Sequence, residues 1–103
     1  MTKARVLLDQ KLNISERFRV ELKVFEVEPR EKHPEGVRVR FALIDVLKND
    51  PRLLIDNHAP FGFHVHDELP WNKDKRRILK SKDHQEALDE FWRLVQEITS
   101  NET

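Results

Sequence analysis

The stretch RFRVELKV, residues 17–24, alternates strictly between polar and apolar side chains. Its apolar members are Phe18, Val20, Leu22 and Val24, and its polar members are Arg17, Arg19, Glu21 and Lys23. Because successive side chains of a β-strand point to opposite faces, this period of two predicts a half-buried antiparallel strand. The apolar Phe25 then breaks the alternation, which predicts a β-bulge near Val24 and Phe25.

The segments on either side of this stretch also have strand character. On its N-terminal side, ARVLLDQKLNI (residues 4–14) is compatible with a strand that ends in a polar turn. On its C-terminal side, VRVRFALIDVL (residues 37–47) alternates up to Phe41 and then becomes apolar on both faces, which predicts a central strand. Short strands are predicted at LLID (residues 53–56) and FHVHDEL (residues 63–69), with NHAPFG between them as the loop.

The C-terminal part of the chain changes to a helical period. The apolar residues that recur at spacings of three and four are Leu88, Phe91, Trp92, Val95 and Ile98. Asp83 is a suitable N-cap, and Glu86 three residues later completes a capping-box arrangement. This pattern predicts a helix over residues 83–99 with one apolar stripe.

These elements predict a single α+β domain over residues 1–103. Residues 1–80 are mainly β and residues 83–99 form the helix. The expected architecture is an antiparallel sheet of about five strands, with the C-terminal helix packed on one face.

The composition excludes some classes of protein. The 19 basic and 19 acidic residues give a formal charge of zero, so net charge predicts no partner. The chain has no cysteine, which excludes disulfides and thiolate metal sites. No apolar run approaches the ~20 residues of a membrane span. We therefore expect a soluble cytoplasmic protein that has no membrane partner, and the sequence does not decide between a monomer and a homodimer.

The charge is unevenly distributed along the chain. Residues 72–82, NKDKRRILKSK, carry six basic side chains against one acidic side chain. Such a segment is either a solvated surface or a site for phosphate groups. If it binds phosphate, the candidate nucleic-acid contacts in it are Lys73, Lys75, Arg76 and Arg77.

Three of the five histidines lie within LLIDNHAPFGFHVHDE, residues 53–68. In a strand, His64 and His66 share a face with their Cα atoms about 6.6–7 Å apart, and Val65 points to the opposite face, into the core. Asp56 and His58 are also two residues apart. An antiparallel pairing of the two segments would bring the three imidazoles and the Asp56 carboxylate together.

This grouping has three interpretations. It can be a metal site for zinc or manganese, formed by Asp56, His58, His64 and His66. It can be a cofactor-free acid–base site, because paired imidazoles exchange protons near neutral pH. It can also be structural, with the polar side chains bonded to the backbone in a tight turn.

The acid–base interpretation assigns a role to each candidate residue. His64 and His66 would be the acid–base pair that cleaves RNA, with His58 in the same catalytic set. Asp56 would orient an imidazole, and Asn57 would hold the loop or donate a hydrogen bond to phosphate. Trp71 is interpreted as closing an edge of the core and not as a base-stacking platform.

The order Asp-Asn, a short Pro/Gly-containing loop and His-x-His resembles the TumE-type family of toxin components in prokaryotic toxin–antitoxin pairs. Asp56, Asn57, His64 and His66 carry the resemblance, and Gly62 fits the loop. The resemblance implies a helix-turn-helix antitoxin as partner and RNA as target. One departure is Val65, because several family members have a basic residue between the histidines. The favoured interpretation is thus a toxin that cleaves RNA, and the alternatives are a metal-binding domain or hydrolase and a non-catalytic interaction module.

Overall fold

The computed structural model describes residues 5–28, 36–58, 62–69 and 71–101. The sequence segment 29–35 and Pro60 of the predicted loop NHAPFG lie outside these residues. The elements in chain order are β1 (Arg5–Asn13), β2 (Phe18–Glu26), β3 (Val37–Asp45), β4 (Asp50–Asp56), β5 (His64–His66), β6 (Arg77–Ile78) and α1 (His84–Asn101).

The strands form a single antiparallel sheet in the order β1-β2-β3-β4-β5-β6, with each strand beside its neighbours in sequence. Helix α1 packs on one face of the sheet, over β3 and β4. The predicted α+β class, the antiparallel sheet and the C-terminal helix are confirmed. The sheet has six described strands, because the two-residue β6 is too short to leave a periodic pattern in the sequence.

Strand β2 has the burial pattern that its sequence predicts. Its four apolar alternating residues are buried, and the residues between them are partly exposed. The expected bulge does not lie in β2, which pairs with β3 without interruption through Val24 and Phe25. The register instead shifts in β1 between Val6 and Leu8, opposite this position. Phe25 keeps the phase of β2 and is an apolar residue on its outer face.

Strand β3 is central, as its two-sided apolar sequence predicts. Phe41 and Leu43 are fully buried on the face that α1 covers, which we call the helix face. Ala42 is fully buried on the opposite, outer face. A second layer of chain therefore covers part of the outer face, and this layer shapes the candidate site.

Helix α1 begins after Asp83, whose Oδ1 accepts a hydrogen bond from the Glu86 backbone amide at 3.0 Å. This is the predicted N-cap contact, which satisfies one of the free amides of the first turn. The rings of Phe91 and Phe41 meet with centroids 5.8 Å apart. The buried line of the helix consists of Ala87, Phe91, Leu94 and Val95. Leu88, Trp92 and Ile98 of the predicted stripe are partly buried at its margin.

Among the described residues, no helix combines the length and the apolar character that a membrane crossing requires.

Candidate functional site

Strands β4 and β5 bring the polar residues of the two segments together. Asp56 pairs directly with His64, and Ile55 pairs with Val65. Val65 is fully buried on the helix face, as predicted, so His64 and His66 point to the outer face. We call Asp56, His64 and His66 the Asp–His–His cluster.

The polar atoms of this cluster converge on a small space. One potential ligand atom from each side chain lies within 4.8 Å of those of the other two. The Nε2 atom of His64 is 2.9 Å from Oδ1 of Asp56. The rings of His64 and His66 meet edge to face, with centroids 5.2 Å apart.

The backbone at Gly62 determines which nitrogen of His64 carries a proton. Nδ1 of His64 lies 2.8 Å from the Gly62 carbonyl oxygen. Because a carbonyl oxygen only accepts, Nδ1 must be the protonated nitrogen in this contact. Gly62 has a left-handed φ of 62°, which glycine adopts without steric cost. In neutral His64, the lone pair is therefore on Nε2 and points toward the Asp56 carboxylate.

Asp56 and His66 differ in how their polar atoms are satisfied. The backbone amide of His58 donates to Oδ1 of Asp56 at 3.0 Å, which holds the carboxylate at the end of β4. Nδ1 of His66 is buried and has no hydrogen-bond partner among the residues that the structure describes. A buried imidazole nitrogen without a partner is costly and requires an explanation.

The two imidazoles are not open to solvent, contrary to the geometry that acid–base chemistry on RNA requires. His64 is 3% exposed and His66 is 9% exposed. A pocket of about 340 Å³ borders His66. The other residues that line it are Arg40, Asp50, Pro51, Leu54, Leu69 and Lys73. Leu69 and Lys73 belong to the connection between β5 and β6, which supplies the covering layer of the outer face.

His58 does not join the cluster. It follows the end of β4, its side chain is exposed, and its imidazole is not in the convergent group. The His58 backbone amide does contact Asp56, to whose Oδ1 it donates a hydrogen bond. The strand ends at Asp56, so the alternation that would place His58 beside His64 does not continue to residue 58.

Asn57 has a structural position, and its predicted contact with phosphate stays a prediction. Its side chain is fully buried. Its Oδ1 accepts from the Val39 backbone amide at 2.9 Å, and its Nδ2 donates to the Val37 carbonyl at 2.6 Å. Asn57 thus fastens the end of β4 to the start of β3, which agrees with its alternative predicted role of holding the loop.

The basic residues that follow the cluster have different surroundings. Lys75 contacts Glu68, and this ion pair raises the pKa of Lys75 above its usual value. The Nη2 atom of Arg77 is 3.1 Å from Oδ2 of Asp67, which forms a second ion pair. Lys73 lines the pocket beside His66, and Arg76 is exposed. Of the four predicted phosphate contacts, Lys73 shares a pocket wall with His66 of the cluster.

Trp71 does not close a core edge. It is 75% exposed, and the Arg52 guanidinium lies 5.0 Å from its ring centroid.

The sequence did not predict that the Gly62 carbonyl would contact His64. The signal that could have indicated it is that one of only two glycines in the chain lies two residues before His64.

Comparisons of the chain with protein-family models, with curated proteins and with solved structures found no significant match.

Proposed function

We propose that this protein binds a divalent transition-metal ion of the zinc type through Asp56, His64 and His66. The observation that carries the proposal is the close approach of His64 Nε2 and Asp56 Oδ1, at 2.9 Å. The Gly62 carbonyl engages the other nitrogen of the same ring.

The contact between His64 and Asp56 requires a positive charge between its atoms. With the proton of neutral His64 on Nδ1, Nε2 presents a lone pair to a carboxylate oxygen, and two acceptors at this distance repel each other. Either a proton or a metal ion relieves the repulsion. The hydrogen bond from Nδ1 to a backbone carbonyl is the outer contact that metal-ligating histidines usually make, because it fixes the tautomer and the ring orientation.

His66 favours the metal ion over the proton. A proton between His64 and Asp56 leaves the buried Nδ1 of His66 without a partner among the described residues. An ion held by all three side chains gives both imidazoles a ligand role. Two imidazoles and one carboxylate form a donor set that zinc accepts readily, with manganese as a weaker alternative.

The position of the pocket supports a catalytic ion. Three protein ligands leave a coordination position for water or substrate, as in catalytic zinc sites, whereas structural zinc sites are closed by four. The pocket borders the cluster through His66 and has Arg40 and Lys73 in its wall. Metal-assisted hydrolysis of a negatively charged substrate is the reaction class that this arrangement favours.

Measuring the zinc content of the purified protein tests the proposal directly. The full chain, stripped with a chelator and dialysed against zinc, should retain about one equivalent by elemental analysis. His64→Ala, His66→Ala and the nearly isosteric Asp56→Asn should each weaken zinc binding by more than the ~10–100-fold that the loss of an outer contact costs.

His58→Ala is the matched control, because its imidazole is near the cluster in sequence but is not part of it. His58→Ala should retain zinc like the unsubstituted chain. Equal zinc affinity in all five proteins, or no retention by the unsubstituted chain, would remove the proposal.

We propose metal-independent RNA cleavage by a TumE-type toxin as the second candidate. The edge-to-face contact of His64 and His66, with Lys73 in the adjoining pocket wall, is the observation that favours it. One imidazole would accept the proton of an RNA 2′-hydroxyl and the other would protonate the leaving oxygen. The burial of both rings makes this candidate the weaker of the two.

Induction of the protein in a bacterial host separates the candidates. RNA cleavage that persists in chelator and disappears in the His64→Ala/His66→Ala double variant would support the second candidate. Cleavage that chelator abolishes and zinc restores would support the first. Unchanged growth and intact RNA with both proteins would reject the toxin interpretation.

A further inference from the structure

Strand β1 forms one edge of the described sheet, and no other described strand pairs with its outer side. Eight of its nine residues are exposed. Three of these exposed residues are apolar, namely Val6 at 55% exposure, Leu7 at 40% and Leu12 at 39%. Long exposed edge strands are templates for pairing with another strand.

The hydrogen bonds of the β1–β2 turn establish which residues face the free edge. The Ile14 amide donates to the Phe18 carbonyl at 3.1 Å, so the backbone groups of Ile14 point toward β2. Because this direction alternates along an antiparallel strand, even-numbered positions from 8 to 14 bond to β2. The backbone amides and carbonyls of Asp9 and Lys11 therefore face the open edge.

We propose that two copies of this chain pair through β1, antiparallel, about a two-fold axis at Gln10. In this register Asp9 of each copy lies opposite Lys11 of the other and forms a hydrogen-bonded pair with it. Leu8 of each copy lies opposite Leu12 of the other, on the helix face. Opposite charges and apolar pairs placed directly across an antiparallel ladder stabilise it.

The charges of Asp9 and Lys11 favour this register over registers shifted by two residues. A shift of two residues in one direction places Asp9 opposite Asp9, and in the other direction it places Lys11 opposite Lys11. Like charges directly opposite each other destabilise the pairing. A shift of one residue pairs an edge-facing residue with one that faces β2, which removes the ladder.

The pairing would join two six-stranded sheets into one continuous sheet with both helices on the same face. The Asp–His–His cluster lies on β4 and β5, toward the opposite edge of each sheet, and stays outside the interface. The inference is therefore independent of the proposed metal site.

Charge reversal tests the register in solution. We expect sedimentation equilibrium of the full chain to show a dimer. Asp9→Lys and Lys11→Asp each create two like-charge pairs and should weaken dimerisation by about tenfold or more. Asp9→Lys/Lys11→Asp, which exchanges the charges, should restore the dimer, and an equimolar mixture of the two single variants should form a heterodimer.

A cross-link provides a second readout, because the chain contains no cysteine. Directly opposite residues in a non-hydrogen-bonded antiparallel pair have Cα atoms about 4.5 Å apart, within reach of a disulfide. Gln10→Cys should thus cross-link rapidly under mild oxidation, and Asp9→Cys, whose copies are offset along the strands, should not. A monomer at all concentrations, or equal cross-linking at both positions, would overturn the inference.

Discussion

The two halves of the sheet share a buried helix face but differ in what lies on their outer face. In the long-strand half, β1–β3, each strand has nine residues, and the outer face of β2 carries charged side chains at the surface. In the short-strand half, β4–β6, the outer face of β5 carries two buried imidazoles. In the long-strand half, local alternation of the sequence determines which side chains are buried. In the short-strand half, burial of the outer face depends on the distant segment that covers it, and the Asp–His–His cluster lies in this half.

The long-strand half should dominate the stability of the whole molecule. Phe41 is fully buried and contacts the ring of Phe91. We expect Phe41→Ala to lower the free energy of unfolding by about 3–5 kcal/mol, because it removes a large apolar side chain and leaves a cavity. Urea denaturation measures this change. Leu47→Ala, at a largely exposed position, is the control and should stay within about 0.5 kcal/mol.

Asn57 connects the two halves, so its removal tests whether the short-strand half depends on the long one. Asn57→Ala leaves the Val39 amide and the Val37 carbonyl without their side-chain partner. Each buried unsatisfied group costs about 1–3 kcal/mol, and we expect a loss of about 2 kcal/mol or more by urea denaturation. The exposed Asn72→Ala is the control. Equal stability of the two variants would contradict the role assigned to Asn57.

Asp45 gives the long-strand half a polar contact that depends on pH. Its burial alone would raise its pKa, but the hydrogen bond from Arg17, the amides of Lys48 and Leu47 and the charge of Arg17 outweigh burial and lower the pKa. A lowered folded-state pKa contributes stability above the unfolded value of about 3.9, and that stability is lost as the pH falls through the folded pKa.

Asp45→Asn should therefore be less stable than the unsubstituted chain at neutral pH and should lose less stability on acidification. Thermal unfolding between about pH 2 and 6 measures this difference. Asp74→Asn, at an exposed position outside the proposed dimer interface, serves as the control and should leave the pH profile unchanged. Parallel profiles for all three proteins would show that the Arg17–Asp45 pair contributes nothing at acid pH.

The helix contributes the smallest of these effects. Asp83→Ala removes the N-cap acceptor of the Glu86 amide and should cost about 1 kcal/mol by urea denaturation. Asp89→Ala, at an exposed position inside the helix, makes no capping contact and should not reduce stability. An equal loss in both variants would indicate a general effect of charge and not of capping.

The sequence predicts the long-strand half well for physical reasons. The alternation from Phe18 to Val24 identifies β2, and the two-sided apolar run after Phe41 places β3 at the centre of the sheet. The same rule directs Val65 to the core and both histidines to the other face. The fold class and the side-chain directions in β5 follow from period alone.

Periodicity does not reveal what lies above a face. Burial of His64 and His66 depends on the connection from β5 to β6, where Leu69 turns inward without a repeating pattern. The bonds of Asn57 to β3 join residues that are eighteen and twenty positions apart. Such contacts depend on tertiary packing, and the alternation in β5 therefore predicts which face His64 and His66 occupy but not that this face is enclosed.

The central claim is that His64 keeps its proton on Nδ1 and offers Nε2 to a metal ion. Long-range proton–nitrogen NMR of the ¹⁵N-labelled full chain, before and after one equivalent of zinc, measures the state of each ring nitrogen. We predict that Nδ1 of His64 remains protonated and that Nε2 shifts to a metal-bound value, with a concurrent shift at His66 and none at His84. Spectra that zinc leaves unchanged, with both nitrogens of His64 protonated, would contradict the claim and would assign the contact with Asp56 to a proton.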